Sequence, residues 1–465
     1  MGALFNANEK KERPGVYRRY VNTSGNLVAG SDDGICAIAL AADWGPIGSV
    51  MAFESVNSFK RVYGNVADGI KLFEGGAKTV YVSRVGSGGT KGSLSIKDGA
   101  GTQAVTLTSL YEGTFAPTVT IRESLADTLV KEFIVYDETS VLETITFVKG
   151  TAEPQALVDA INEKSEYFTA TKVSDGDGKV ESLAQKAITS GTNPTVTNES
   201  YSNAFETLEP YKFQTLCVDT DTQAVHLLVH AFIKRIYESG GLSVGVVGEP
   251  TSVEFETRKE HAAAYNDEKM VYVGGSYVDF DGNTVEGHTA AALIAGYIAS
   301  TPSNESIVHT VIPYASETKE KLTNSQYVSA IKNGMLLFSE TANGKVQIDS
   351  GVNTLVEPGQ DQDEGWKKIK RTKVRFELFD RIDRTVSPVI GKINCNSDGV
   401  LNVIKLAQDV IDSMIAEGKL LNGGEIIEDP DNPFKGDSAW FIINVDDVDT
   451  LEKIYLKYQF RFSAN

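Results

Sequence analysis

Two periodicities of apolar residues take turns along this chain. Residues 35–42 are apolar without interruption, as in a strand covered on both faces. Residues 55–63 place Val56, Phe59 and Val62 at helical spacing behind Ser55, whose hydroxyl suits a helix start, and 79–85 is β-branched. The alternation returns near 213, with strands at 213–218, 242–247 and 270–273 and helices at 222–238, 254–265 and 288–299. Strands alternating with helices predict an α/β layered domain.

Between these halves the texture changes. Short Thr/Val-rich runs at 104–107, 118–121, 133–136 and 145–148, with one helix at 154–164, predict a mostly β domain inserted in a surface loop, a site that tolerates insertion. After about 340 come helices at 370–388 and 398–417, then strands near 424–428 and 439–445. The expected fold class is α/β and α+β, multidomain. A discontinuous α/β domain (23–85 with 205–339) carries the inserted β domain (86–204), which faces outward and is dispensable for assembly. A C-terminal α+β domain (340–452) follows, and the ends are an N-terminal arm (1–22) and a C-terminal arm strand (453–465).

The cleanest alternation lies in that last arm. Ile454, Leu456, Tyr458, Phe460 and Phe462 share one face of a strand; Tyr455, Lys457, Gln459 and Arg461 share the other. At the opposite end, Pro14 and Gly15 precede a shorter extended segment containing Val16, Tyr17, Arg18, Tyr20 and Val21. An alternating terminal strand is an aggregation hazard unless a partner is designated for it, and strand addition to a neighbour supplies one.

The length of 465 residues suggests roughly three domains. A net charge of −19 argues against a general nucleic-acid or anionic-membrane binder, both of which need a basic surface. The apolar runs are too short for a membrane span, and Met1-Gly2-Ala3-Leu4-Phe5 lacks the layout of a secretion signal. Three cysteines, Cys36, Cys217 and Cys395, are widely spaced, which fits a reducing cytoplasm; Cys36 and Cys217 read as buried, inert thiols.

Chemical motifs are weak. The Gly-rich stretch 86–93 has Lys91-Gly92-Ser93 in the wrong order for a phosphate loop and no helix after it, so a flexible linker is expected. His226 and His230 stand four apart, a zinc spacing, but without the intervening Glu, and Asp175-Gly176-Asp177-Gly178-Lys179 lacks the later carboxylates of a calcium loop and reads as a Gly-rich hairpin turn. No catalytic residue, cofactor or metal site is expected. One cluster stands out: Lys367, Lys368, Lys370, Arg371, Lys373 and Arg375, preceded by Asp361, Asp363 and Glu364. It reads either as a solvated helix start or as a docking face for an acidic partner.

An ordered series of segments resembles the contractile tail sheath family. It comprises Arg13-Pro14-Gly15-Val16-Tyr17, residues 34–41, Asp43-Trp44-Gly45-Pro46, and a helix ending Val62-Tyr63-Gly64. It continues through 346–355, 369–383 with Arg381-Ile382-Asp383, Ile390-Gly391-Lys392-Ile393-Asn394, and 446–462, and leaves out 86–204. The likeness looks closest to single-chain sheaths of phage-like particles and R-type bacteriocins of Gram-positive bacteria. It implies a structural protein, not an enzyme, assembled in the bacterial cytoplasm into a virion tail or a released bacteriocin particle. Stacked hexameric rings would surround an inner tube, with the C-terminal domain nearest the tube, and contract to drive that tube through an envelope. The implied partners are further copies of the chain, the inner tail tube protein, and baseplate and tail-terminator proteins, with no nucleic acid and no membrane insertion. In the resemblance both arms add strands to neighbouring subunits. The competing reading is an α/β enzyme with an appended β domain, which requires a polar pocket at the carboxyl ends of the parallel strands.

Overall fold

The computed structural model describes residues 33–461 and, before them, the two-residue strands Ala3–Leu4 and Tyr17–Arg18. Two compact units result. The larger is built from Asp32–Glu377 and the chain from Asp447 on; the smaller contains Leu378–Asp446 and the short N-terminal strands.

The larger unit is organised by a seven-stranded sheet. Its order is Met335–Leu336, Met270–Val273, Val244–Gly248, Thr215–Val218, Ile35–Leu40, Thr79–Arg84 and Val50–Phe53. All neighbours are parallel except the last pair. Successive side chains of a strand point to opposite faces. Cys36, Ile38 and Leu40 enter one apolar layer with Phe59, Leu72 and Ile294, whereas Ala37 and Ala39 enter another with Phe205, Val229 and Phe232. Both faces are apolar, so these strands show no alternation in the sequence.

The helices Ala67–Glu74 and Gly287–Ser300 meet almost backbone to backbone. A Cβ on Gly75 would lie 2.3 Å from the Leu293 carbonyl oxygen, and one on Gly296 would lie 2.3 Å from that of Leu72, so only glycine fits at either place. The elements that the sequence pattern did not show are short or polar. They include Val50–Phe53, Ala67–Glu74 and Asn198–Leu208. The last starts at Thr197 with a capping box closed by Ser200, and buries Tyr201, Ala204, Phe205 and Leu208 in the sheet's second layer.

Residues 87–195 carry two further antiparallel sheets. One runs Ser140–Val148, Val130–Asp137, Thr118–Glu123 and Leu183–Ala187; the other runs Phe168–Lys172, Gln103–Glu112 and Lys91–Lys97. With the helix Glu153–Lys164 they enclose their own core around Leu107, Phe133, Ile161 and Phe168. A buried ion pair, Lys131 Nζ to Glu153 Oε2 at 2.8 Å, is completed by the Val180 backbone at both of its groups. Residues 175–179 form a turn, with Gly176 and Gly178 at φ of 51° and 80°, but not the expected hairpin, because Phe168–Lys172 and Leu183–Ala187 on either side belong to different sheets.

The Gly-rich entry to this region is not the flexible linker that its composition suggests. Ser87, Thr90 and Ser93 pair antiparallel with Thr195, Thr192 and Thr189 of the returning chain, so the backbone groups of both crossings satisfy one another. Beside the crossings is a dense joint. Trp44, 5% exposed, lies between Tyr111, Phe115 and Tyr167 at ring-centroid distances of 4.9, 5.7 and 5.2 Å. Arg84, 1% exposed, donates to the Ala42, Gly45 and Glu112 carbonyls at 2.6 to 3.0 Å.

In the smaller unit, Asn396 caps the helix Ser397–Ala416 through a bond from the Gly399 N–H. The helix buries Ala407, Val410, Ile411 and Met414, and the antiparallel pair Glu425–Glu428 and Phe441–Asn444 lies nearby in the chain. Arg381 grips Glu417 with two bonds of 2.6 and 2.8 Å, which hold the Glu417 carboxyl down at about 2. The strand pair has no third strand among the described residues, and Trp440, Ile427, Ile442 and Ile443 remain more than a third exposed.

Candidate interaction site at the root of the C-terminal segment

The basic run opens the helix Ile369–Val386. Three of its cations, Lys368, Lys370 and Arg371, find their partners in residues 447–452. Arg371 holds Asp447 through both oxygens, at 2.7 and 2.5 Å, the fork geometry that guanidinium and carboxylate share. Lys368 reaches Asp449 at 2.6 Å and Glu452 at 3.0 Å. Lys370, 3% exposed, donates to the Val448 carbonyl. Three cations thus fasten one six-residue stretch.

The electrostatics follow from that geometry. Burial works against the Asp449 carboxylate, but the Lys368 ammonium and the Thr450 N–H outweigh it and leave its pKa below the ordinary value. Burial likewise works against the charge of Lys368, and its two carboxylate partners more than compensate, so its pKa rises. For Lys370, which has only a carbonyl partner, burial prevails and the pKa falls.

The other cations of the run serve the unit itself. Lys373 donates to the Ile298 and Thr301 carbonyls at the C-terminal end of Gly287–Ser300, where a helix welcomes positive charge. Arg375 lies 3.8 Å over the Trp366 ring, and Lys367 pairs with Glu364 at 2.9 Å. All six therefore have partners within the chain.

Beyond the root, residues 451–461 join no sheet. The apolar side chains of both alternating faces are in solvent: Ile454 69% exposed, Tyr455 89%, Leu456 69%, Tyr458 73% and Phe460 82%. The strand expected there is not formed by the chain alone, because no edge of its own is paired with it. Phe462 lies outside the described residues. Of the N-terminal candidates, Tyr17 and Arg18 pair in parallel with Ala3 and Leu4, and Val16, Tyr20 and Val21 lie outside the described residues. An open groove of about 500 Å³ borders the root, lined by Asn304, Ser306, His309, Glu452 and Ile454.

The place where an α/β enzyme would work is occupied differently. The strand order reverses between Ile35–Leu40 and Thr215–Val218. There Asp219 accepts from the Ala41 N–H at 2.6 Å and the Tyr201 hydroxyl at 2.5 Å, Asp221 accepts from the His288 N–H at 2.7 Å, and His288 meets Asp68 at 2.6 Å. These groups satisfy one another in structural bonds. His226 and His230 turn to separate partners, the Thr220 carbonyl and Asp267, and no metal-binding group of three ligands occurs among the described residues. Cys36 and Cys217 are fully buried, and burial pushes the Cys36 thiol up to about 12.

Charge complementarity was the missed signal. The run Asp447, Asp449 and Glu452 mirrors the earlier Lys368, Lys370 and Arg371 in sign, and both were visible in the sequence.

Comparison with known proteins gives a consistent result. Residues 195–354 match the phage tail sheath protein central domain. Over 98% of its length and 99% of the relative's, the chain is 24% identical to the phage-like element PBSX protein XkdK of Bacillus subtilis (strain 168). A sheath tail protein of Desulfitobacterium hafniense superposes with a TM-score of 0.71 at 18% identity, covering 93% of this chain and all of that one. The contracted helical sheath of the anti-feeding prophage gives 0.54 at 11% identity, covering 97% of this chain and 99% of that one.

Proposed function

We infer that this chain, which belongs to the tail sheath family, is a structural subunit of a contractile tail sheath. Its copies polymerise as stacked hexameric rings around an inner tube, and contraction drives that tube through a cell envelope. The observation that carries this reading is the C-terminal segment: an alternating apolar stretch, exposed on both faces among the described residues and fastened at its root. Leaving such a surface in water is unfavourable for a monomer, and a neighbour's sheet edge would take its backbone bonds and bury one of its faces. The strand pair Glu425–Glu428 and Phe441–Asn444 is our proposed acceptor, because it has open edges and exposed isoleucines. Tyr17 and its neighbours are proposed to make a second joint of this kind.

The remaining assignments belong to the same reading. The division 23–85 with 205–339, 86–204 and 340–452 describes the domains, with the inserted domain facing outward and the last domain nearest the tube. Baseplate and tail-terminator proteins cap the polymer, which forms in the bacterial cytoplasm and leaves as a virion tail or a bacteriocin particle. No catalytic role is proposed. Among the described residues no helix is long and apolar enough to cross a membrane. The basic run lies near the tube or a neighbouring subunit and contributes through the segment that it holds.

Removal of 453–465 tests the central claim. The truncated protein should keep the circular dichroism and cooperative melting of the parent while forming no tubes in electron micrographs. Normal polymerisation would overturn the arm assignment, and loss of cooperative melting would make the segment a core strand of its own unit.

A further inference from the structure

Residues 447–452 are held by polar contacts: a bidentate guanidinium–carboxylate pair, an ammonium shared by two carboxylates, and a nearly buried ammonium on a main-chain carbonyl. Directly after them the chain is exposed residue by residue. The cations stand at the start of a helix that is packed into the larger unit through Ile369 and Phe376, so the anchor does not move with the segment.

We propose that Lys368, Lys370 and Arg371 with Asp447, Asp449 and Glu452 form an ionic latch that fixes the direction in which 453–461 leaves the unit. The latch thereby decides whether the segment is presented to a neighbour or samples solvent freely. This rests on the arm reading above. Presenting a segment in a set direction removes part of the ordering cost of joining a neighbour, and with it part of the barrier to polymerisation. The pairs are partly exposed, so salt screens them over a Debye length of about 8 Å at physiological ionic strength. Opening the latch requires no apolar core to be broken. It is a hinge that charge, and not packing, holds shut.

The experiment uses the full chain with Cys395→Ser, which removes the exposed thiol and leaves Cys36 and Cys217 buried. Spin labels at Tyr455→Cys and at Glu260→Cys, on the exposed side of the helix Phe255–Tyr265, report the exit direction in the unassembled protein. The parent should give one narrow distance distribution at low salt that broadens in 1 M salt. The triple variant Asp447→Asn, Asp449→Asn, Glu452→Gln should be broad at both. Without the labels, the triple variant should polymerise roughly tenfold more slowly while still melting cooperatively, slightly below the parent. Exchanging the pair as Arg371→Asp with Asp447→Arg should restore much of the rate.

An unchanged distribution in the triple variant would overturn the latch, as would a distribution already broad in the parent. The two readings fail separately. If the triple variant broadens while the protein lacking 453–465 still polymerises, the latch stands and the arm assignment falls. If the truncation abolishes polymer but the triple variant stays narrow, the arm stands and the latch falls.

Discussion

The larger unit carries two appendages, and they are fastened by opposite means. The β region entering at Ser87 and leaving at Thr195 is joined by Trp44 among three aromatic rings and by a buried Arg84 whose donors are spent on backbone carbonyls. The C-terminal segment is fastened by charged groups, the outermost of which water reaches: Asp449 is 40% exposed and Lys368 28%. Close packing admits one arrangement, because any shift opens a void or leaves a polar group unpaired. A half-hydrated ion pair can be exchanged for water at little cost. The first joint therefore transmits the position of the β region rigidly, and the second permits a change of direction without unfolding.

This contrast can be broken most easily at Trp44. Trp44→Ala empties a socket lined by Tyr111, Phe115 and Tyr167, and should cost about 3–5 kcal/mol, read as a fall in melting temperature and loss of near-ultraviolet dichroism. A shift of less than about 1 kcal/mol would mean that the joint is as loose as the ionic one. The replacement of 86–204 by a short linker meets a larger cost, because it strips Trp44 of its rings and Arg84 of the Glu112 carbonyl and also removes the capping box, Tyr201 and Ala204 of the helix Asn198–Leu208. Assembly by that variant remains the test of dispensability.

At the other appendage the effect on stability should be small. Asp447→Asn removes the fork on Arg371 and should cost about 1–2 kcal/mol, with the difference from the parent shrinking as salt is added. A loss as large as that of Trp44→Ala would show that the root is part of the core.

The smallest effect is in the acid range. The pKa of Asp449 is depressed in the folded protein, so its contribution is present above the ordinary aspartate value of 3.8 and disappears as pH falls through the lower folded value. The stability difference between the parent and Asp449→Asn should accordingly be constant near neutrality and close below that range. A difference that grows on acidification would contradict the sign of the shift.

The same contrast explains what the sequence made legible. Elements with a continuous apolar run or a clear helical stripe, such as Met270–Val273 and Gln223–Glu238, were visible because local composition determines them. Val50–Phe53 was not, since a four-residue edge strand has too few positions to show a period. Asn198–Leu208 was hidden by its Asn and Ser residues, although Thr197 and Ser200 spell a capping box. The Gly-rich crossing was misread because composition reports freedom in the unfolded chain and says nothing of a partner strand about a hundred residues later. The basic run was legible as charge but not as a clamp, since its use depends on which acidic stretch the fold returns to it. The period of 454–461 was equally plain, but a period does not say which edge would pair with the segment, and none of the described strands does.

The paired crossing has a consequence for engineering. Ser87 and Thr195 face one another as antiparallel neighbours, so the two ends of everything between them stand about 5 Å apart. Such a doorway accepts any cargo whose own termini lie one strand spacing apart, and the seven-stranded sheet behind it need not register the exchange. The fitting has two requirements: a flat apolar cover for Trp44, and a carbonyl where Glu112 now offers one to Arg84. A foreign module that meets both would be displayed at a fixed angle on every subunit it is grafted to.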